Sequence, residues 1–376
     1  MLPTYRADGP EGAPWLVLSS SLGTSMAMWD AQVPVLAGRF RVLRYEQRGH
    51  GGTAPPGPGP YTVADLGGDV VTLLDHLGVA RASFCGVSLG GMVGVWLAAH
   101  RPERIERLVL ACTAARLPPA EGWRERAAHV RRSGTSPQVQ GALGRWFTPG
   151  FGDRRPETAR AVAAMLAGAD PEGYAGCCEA IAAMDQRADL ARVVAPTLVL
   201  AGAEDPVTPP ALGLELHQGV AGSALVVVPG AAHLVNVEQP RPFNEAVVAH
   251  LAGTAEERGR RLRTEVLGPP HVARSEAEPS GFAAPFVDLA TRYAWGDIWS
   301  RPGLDRATRS CITLALLAGL GRTEELALHV GGALANGLTR DQIAEVLLQV
   351  GIYAGLPAAN TAFAVARDVL DREDHG

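Results

Sequence analysis

Through the first two-thirds of the chain, short β-prone apolar runs alternate with segments of helical periodicity. Residues 15–19, 41–45, 82–87, 105–111, 193–201 and 224–228 read as strands. Residues 29–36, 62–77 and 89–100 read as helices between them, and Thr62-x-x-Asp65 is a capping box at the start of one. Residues 55–60 are a Pro/Gly loop. Alternation at this spacing predicts a parallel, doubly wound sheet. From 118 to about 189 the strand pattern gives way to helical stretches rich in Ala and Arg and broken by Pro137, Pro149 and Pro156. An insertion there predicts a cap over the carboxyl ends of the strands, where open α/β sheets bind ligands.

A helix over 240–251 closes this pattern, and no strand follows. Residues 254–263 are charged and helix-prone. Four more helices are expected over 305–320, 323–336, 339–354 and 360–370. Gly321 and Gly337 fit C-cap sites, and Thr339-x-x-Gln342 is a second capping box. The expected organisation is an α/β domain over 1–253, its cap at about 118–189, and an all-α domain over 254–376. A chain of 376 residues is long for one core.

Candidate chemistry centres on Gly86-x-Ser88-x-Gly90, where the 82–87 strand meets the next helix. In a chain with 44 glycines the pattern alone carries little weight. An apolar strand before it and an apolar helix after it make it a nucleophile elbow, with the Ser88 hydroxyl lifted clear of the sheet. Side chains in place of Gly86 or Gly90 would strike the neighbouring strand or helix. Asp205 and His233 lie just past the ends of two later strands, in the order Ser, Asp, His. His233 is the expected base and Asp205 its partner, with Glu204 the alternative acid. The backbone N–H groups of Leu22 and Leu89 are the expected oxyanion donors. Ser at the elbow, where Asp would serve dehalogenases and epoxide hydrolases, indicates ester-type chemistry.

Composition narrows the setting. A net charge of −5 gives no electrostatic reason to expect nucleic acid. The five cysteines are odd in number and form no C-x-x-C pair or metal-ligand spacing. No apolar run reaches the ~18 residues of a membrane span. The N-terminus lacks the basic and apolar regions of a signal peptide. A cytoplasmic, cofactor-free enzyme acting on a small molecule is expected.

Residues 1–252 resemble the 3-oxoadipate enol-lactonases, α/β-hydrolases of protocatechuate breakdown. The likeness rests on Ser20-Ser21-Leu22-Gly23-Thr24-Ser25-x-x-Met28-Trp29-Asp30, Arg48-Gly49-His50-Gly51, Gly86-Val87-Ser88-Leu89-Gly90-Gly91 and, more narrowly, Arg145-Trp146-Phe147-Thr148-Pro149. Glu46 stands where that family usually has Asp. The resemblance implies attack by Ser88 on a ring carbonyl, with an enolate leaving to become a ketone. It also implies a substrate carboxylate, for which Arg124, Arg131, Arg132 and Arg145 in the cap are candidates, with Trp146 walling the pocket.

Residues 254–371 resemble 4-carboxymuconolactone decarboxylase, on longer and more specific runs. These include His271-Val272-x-Arg274-Ser275, Asp288-Leu289-Ala290-Thr291-Arg292-Tyr293-Ala294-Trp295-Gly296-Asp297-Ile298-Trp299 and Asn336-Gly337-Leu338-Thr339. That family shares the alkylhydroperoxidase-D-like helical fold, whose peroxidase members use C-x-x-C followed by His. Here Arg322 and Glu325 hold the cysteine positions before His329, so no thiol chemistry is expected. His329 is the candidate proton donor, with Glu325 one turn earlier and His271 as the alternative acid. Arg274, Arg292, Arg301, Arg306 and Arg309 are candidate anion-binding groups. Trp295 and Trp299 are expected in the core.

The two resemblances imply consecutive steps on one chain, on small lactone carboxylates, with self-association through the helical domain. The rival expectations are a carboxylesterase or cofactor-free perhydrolase with a non-catalytic oligomerisation domain, and a ligand receptor with little turnover.

Overall fold

Seven strands form one sheet in the order β1–β3–β2–β4–β5–β6–β7. They are β1 (Tyr5–Asp8), β2 (Trp15–Ser19), β3 (Arg41–Tyr45), β4 (Ala82–Val87), β5 (Ile105–Ala111), β6 (Thr197–Gly202) and β7 (Ala224–Val228). Only β1 is antiparallel, pairing with β3. This architecture comes from a computed structural model, which describes residues 2–277, 281–301 and 303–373. Its chain divides into two compact units between Leu251 and Ala252. The last residues of the expected all-α domain, 374–376, lie outside the described residues.

In the first unit the central strands are buried on both faces, with Leu16, Leu18, Phe84, Leu108 and Val109 at 0–1% exposure. That is why they read as continuous apolar runs. Strand β1 escaped the sequence reading because it is a four-residue edge strand, mostly half-exposed and carrying Arg6 and Asp8. The helix expected over 29–36 is instead a 3₁₀ turn, Met26–Trp29, and a short helix, Val33–Leu36. Pro34 has no N–H to donate to Asp30, so a continuous helix cannot run through it. The capping box at Thr62 forms as expected.

The cap comprises helices Ala120–Ser133, Val139–Trp146, Phe151–Arg154, Pro156–Ala167 and Pro171–Ala183. Beneath it, the turn after β2 is held by the loop after β3. The Gly23 N–H donates to His50 Nε2 at 2.9 Å, and His50 Nδ1 lies 2.9 Å from the Arg48 carbonyl oxygen. The proton therefore sits on Nδ1 and the ring is neutral. Burial pushes His50 below its ordinary value, against the opposing pull of the Arg48 carbonyl and Asp170.

The second unit is helical. Helices Arg306–Gly319, Thr323–Ala335, Arg340–Tyr353 and Leu356–Glu373 pack around Leu314, Val330, Leu347 and Ala362. Gly321 and Gly337 follow their helices at φ 67° and 91°, and the Thr339–Gln342 box is present. Ahead of these lie Ala255–Leu267, Pro269–Ala277, Ala284–Leu289 and a π-helical segment, Ala290–Trp299. The first of them docks on the π-helical segment through glycine. A Cβ on Gly259 would fall 1.9 Å from the Thr291 carbonyl oxygen, and one on Gly296 2.0 Å from that of Ala255.

Two outcomes follow from these contacts. Gly259→Ala forces backbone apart, so the helical unit should lose ~1–3 kcal/mol or more. Calorimetry should show its transition lowered while that of the first unit stays in place. For His50, the unfolded chain takes up a proton below about pH 6.5 that the folded imidazole refuses until lower pH. Stability of the first unit is therefore full above that pH and declines as the pH falls through the window beneath it. His50→Gln should flatten this slope in urea midpoints measured between pH 7.5 and 5.5.

Candidate active site

The strand-to-helix bend places Ser88 at φ 56° and ψ −116°, one of two non-glycine residues with positive φ among those described. Such a backbone costs about 1–3 kcal/mol and must be held by its surroundings. A Cβ on Gly86 would sit 2.2 Å from the Gly90 backbone, and one on Gly90 2.2 Å from the Ser19 carbonyl oxygen. The Ser88 N–H donates to the Ala111 carbonyl at 2.9 Å, and the Thr113 hydroxyl donates to the Ser88 carbonyl at 2.7 Å.

Strands β6 and β7 deliver the partners. His233 Nε2 lies 2.9 Å from Ser88 Oγ, and His233 Nδ1 lies 2.8 Å from Asp205 Oδ2. All three residues are buried, at 2–5% exposure. Burial alone would raise the Asp205 carboxyl. The charge and hydrogen bond of His233, with donors from Thr208, outweigh it and hold Asp205 below its ordinary value. The Val207 and Thr208 N–H groups donate to Oδ1 at 2.7 and 3.0 Å, and the Thr208 hydroxyl to Oδ2 at 2.6 Å. Thr208 was not singled out from the sequence, although Asp-x-x-Thr after a strand is a local capping pattern. Glu204 instead accepts from the Gly230 N–H, away from the imidazole.

Ser88 and His233 open into a cavity of about 250 Å³ also lined by Leu22, Trp146, Arg126 and Arg145. Leu22 follows β2 and Leu89 follows β4, which are neighbours in the sheet. Leu89 is the first residue of its helix, so its N–H has no intrahelical acceptor. Burial lowers the Arg145 guanidinium below its ordinary value, and the charge of Arg126 adds to this. Arg126 also lies 4.5 Å over the Trp123 ring.

Three of the four cap arginines named from the sequence are elsewhere. Arg124 is exposed and pairs with Glu121. Arg131 bridges Glu172 and Glu179, and Arg132 is exposed. Arg126 was overlooked. On helix Ala120–Ser133 the inward positions are Trp123, Ala127 and Val130, and Arg126 borders that stripe while Arg124 faces away.

In the helical unit His329 is flanked by two tryptophans. Its ring stacks on Trp295 and Trp299 with centroids 6.1 and 6.2 Å away. Trp295 joins Leu262 and Val266 in a small core, as expected of a core residue, yet both indoles also wall the histidine. Burial pushes His329 below its ordinary value, the charge of His271 pushes the same way, and Glu325 opposes. His271 is lowered in turn by burial and by the charges of Arg263 and Arg274. His271 and Glu325, both named from the sequence, are thus the two charges that act on His329. Arg292 and Arg306 are spent in exposed ion pairs, with Asp288 and Glu265, and Arg309 donates to the Arg301 carbonyl. Buried Arg263, bonded to the Thr291 hydroxyl at 3.4 Å, was not identified because its helix reads as a charged, solvated one.

Among the described residues no cluster of His, Cys, Asp or Glu could hold a metal ion, and no helix is long and apolar enough to cross a membrane. Comparison with known proteins divides the chain the same way. Residues 14–240 match the alpha/beta hydrolase fold, and residues 284–368 match the carboxymuconolactone decarboxylase family. The first part is 46% identical over 245 residues to 3-oxoadipate enol-lactonase 2 of Acinetobacter baylyi, covering 65% of this chain and 91% of that protein. The second is 46% identical over 112 residues to 4-carboxymuconolactone decarboxylase of the same organism, covering 30% of this chain and 84% of that one. The crystal structure of the enol-lactonase from Burkholderia xenovorans LB400 superposes with a TM-score of 0.64 at 44% identity, covering 66% of this chain and 95% of that one. The chain belongs to the α/β-hydrolase fold family over residues 14–240 and to the carboxymuconolactone decarboxylase family over residues 284–368.

Proposed function

We propose that this chain is a bifunctional enzyme of protocatechuate breakdown, whose helical unit decarboxylates 4-carboxymuconolactone and whose hydrolase unit opens the resulting 3-oxoadipate enol-lactone. The observation that carries the reading is the hydrogen-bonded Ser88–His233–Asp205 relay beneath two cap arginines. It sits on a chain whose two parts are similar, respectively, to a 3-oxoadipate enol-lactonase and to a 4-carboxymuconolactone decarboxylase.

In the hydrolase unit, His233 takes the Ser88 proton as Oγ attacks the lactone carbonyl, and Asp205 stabilises the imidazolium. The N–H groups of Leu22 and Leu89 hold the oxyanion. Breaking the ring C–O bond expels an enolate, which takes up a proton and becomes a ketone. Water then releases the acyl group from Ser88. Arg126 and Arg145 hold the free carboxylate, and Trp146 walls the ring.

In the helical unit, the C–C bond to the ring carboxylate breaks and its electron pair passes through the double bond onto the lactone carbonyl. The resulting dienolate is protonated at the carbon beside that carbonyl. His329 is the donor, with Glu325 beside it, and Arg263 and His271 take the second carboxylate. Burial first and the charge of His271 second keep His329 low; an anion bound there offsets the second, which favours the protonated form once substrate is present. Both reactions use acid–base and electrostatic steps that need no cofactor.

Self-association of the chain belongs to the same proposal. Leu320, Ile352, Tyr353 and Leu356 on the helical unit are 71–83% exposed, an apolar surface suited to a second copy. Ile352→Glu should lower the mass measured by analytical ultracentrifugation.

The reaction itself is followed by NMR with 4-carboxymuconolactone. Wild type should release CO2 and accumulate 3-oxoadipate. Ser88→Ala should release CO2 but stall at the enol-lactone, its hydrolysis slowed by about 10⁴-fold or more. His329→Gln should lose CO2 release and still hydrolyse supplied enol-lactone. Arg126→Gln and Arg145→Gln should each lower kcat/KM on the enol-lactone by about tenfold to a hundredfold, the worth of a charge-assisted hydrogen bond. Absence of CO2 from every variant would leave an ester hydrolase joined to a non-catalytic assembly domain.

A further inference from the structure

We propose that Glu238 is a positioning residue that holds the cap wall of the substrate cavity in register with the base of the catalytic relay. The inference rests on the reading of Ser88, His233 and Asp205 as a triad and goes beyond it. Glu238 ends the short helix Val235–Glu238, five residues after His233. One carboxylate oxygen accepts from both the Thr148 N–H at 2.9 Å and the Thr148 hydroxyl at 2.6 Å. The other accepts from the Ala232 N–H at 2.8 Å. Thr148 lies two residues beyond Trp146 in the cap, and Ala232 is the residue before His233.

A second contact completes the clamp. The Leu234 N–H donates to the Trp146 carbonyl at 3.0 Å. His233 is therefore flanked by two residues whose backbone amides are tied to the cap segment, one directly and one through Glu238. Trp146 and Arg145 at the other end of that segment line the cavity over Ser88. Recognition of the substrate by the cap and placement of the imidazole thus share one carboxylate. The arrangement also accounts for Thr148 within the Arg145-Trp146-Phe147-Thr148-Pro149 run, whose role composition and spacing leave open. Its hydroxyl and its N–H both serve Glu238. Misplacing either the imidazole or the ring-binding wall by a fraction of an ångström is costly, because the attack geometry is narrow.

The charge on Glu238 matters because three donors converge on it. A glutamine there can accept at one end only and turns its amide donors toward either Thr148 or Ala232. Glu238→Gln should therefore loosen one side of the clamp. Thr148→Val removes the hydroxyl alone at nearly constant volume, and Thr148→Ser restores it.

The test measures kcat and KM of the full chain on two substrates: the enol-lactone, whose carboxylate the cap arginines hold in the proposed function, and p-nitrophenyl acetate, which carries no carboxylate. Thermal unfolding is followed in parallel. Thr148→Val should lower kcat/KM on the enol-lactone by about tenfold and on the acetate ester by clearly less, and Thr148→Ser should recover both. Glu238→Gln should lower kcat on both substrates, because the His233 loop moves as well. Wild-type kcat and KM on both substrates in these variants, with only a lowered unfolding temperature, would show Glu238 to be a purely structural tie and overturn the proposal. So would a Thr148→Ser variant as impaired as Thr148→Val. If wild type hydrolyses the acetate ester but not the enol-lactone, the assigned substrate fails, while the kcat effect of Glu238→Gln on the ester still decides the clamp.

Discussion

The left-handed backbone of Ser88 is the constraint around which the hydrolase unit is arranged. It persists because the space that side chains at positions 86 and 90 would occupy is already filled by backbone, from the elbow itself and from β2. Hydrogen bonds to Ala111 and from Thr113 fix its two flanking peptide groups. Strands buried on both faces give the sheet the rigidity to hold that strain. The bend puts the Ser88 hydroxyl at the carboxyl end of the sheet. The turns after β2, β6 and β7 then need only reach the same point, and the parallel strands bring them there.

Electrostatics follows a common plan in both units. The relay buries an acid and an imidazole together, so each has a partner when the proton moves. At the cavity, burial first and the charge of Arg126 second work against the Arg145 guanidinium, with Tyr174 opposing. In the helical unit burial lowers both His329 and His271; the charge of His271 adds to it at His329, where Glu325 opposes, and the charges of Arg263 and Arg274 add to it at His271.

Legibility in the sequence depended on how local each signal was. The capping boxes at Thr62 and Thr339 and the glycines after two helices were read correctly, because each is settled within four residues. The elbow was readable for the same reason. Of the cap arginines only Arg145 was: Arg124 and Arg126 differ only in which side of one helix they occupy, and that helix has only two fully buried residues to mark its inward face. Strand β1 was invisible because an edge strand needs no apolar run. Arg263 was hidden in a stretch that reads as solvated, and it is buried only because Gly259 and Gly296 let that helix press against its neighbour.

By itself the sequence determined the division into an α/β part and a helical part, the membership of each part in its family, and the choice of Ser88, Asp205 and His233, which the fold brings within hydrogen-bond reach of one another. Those are carried by short-range patterns and by residue types that few other arrangements require. Only the tertiary structure decided that Arg126 rather than Arg124 faces the cavity, that His50 holds the Gly23 turn, and that Glu238 joins the Trp146 segment to the His233 loop. Each of these links residues 20 to 90 positions apart or depends on the rotation of a whole helix. Such contacts are set by how layers pack, and no local pattern in the chain encodes them.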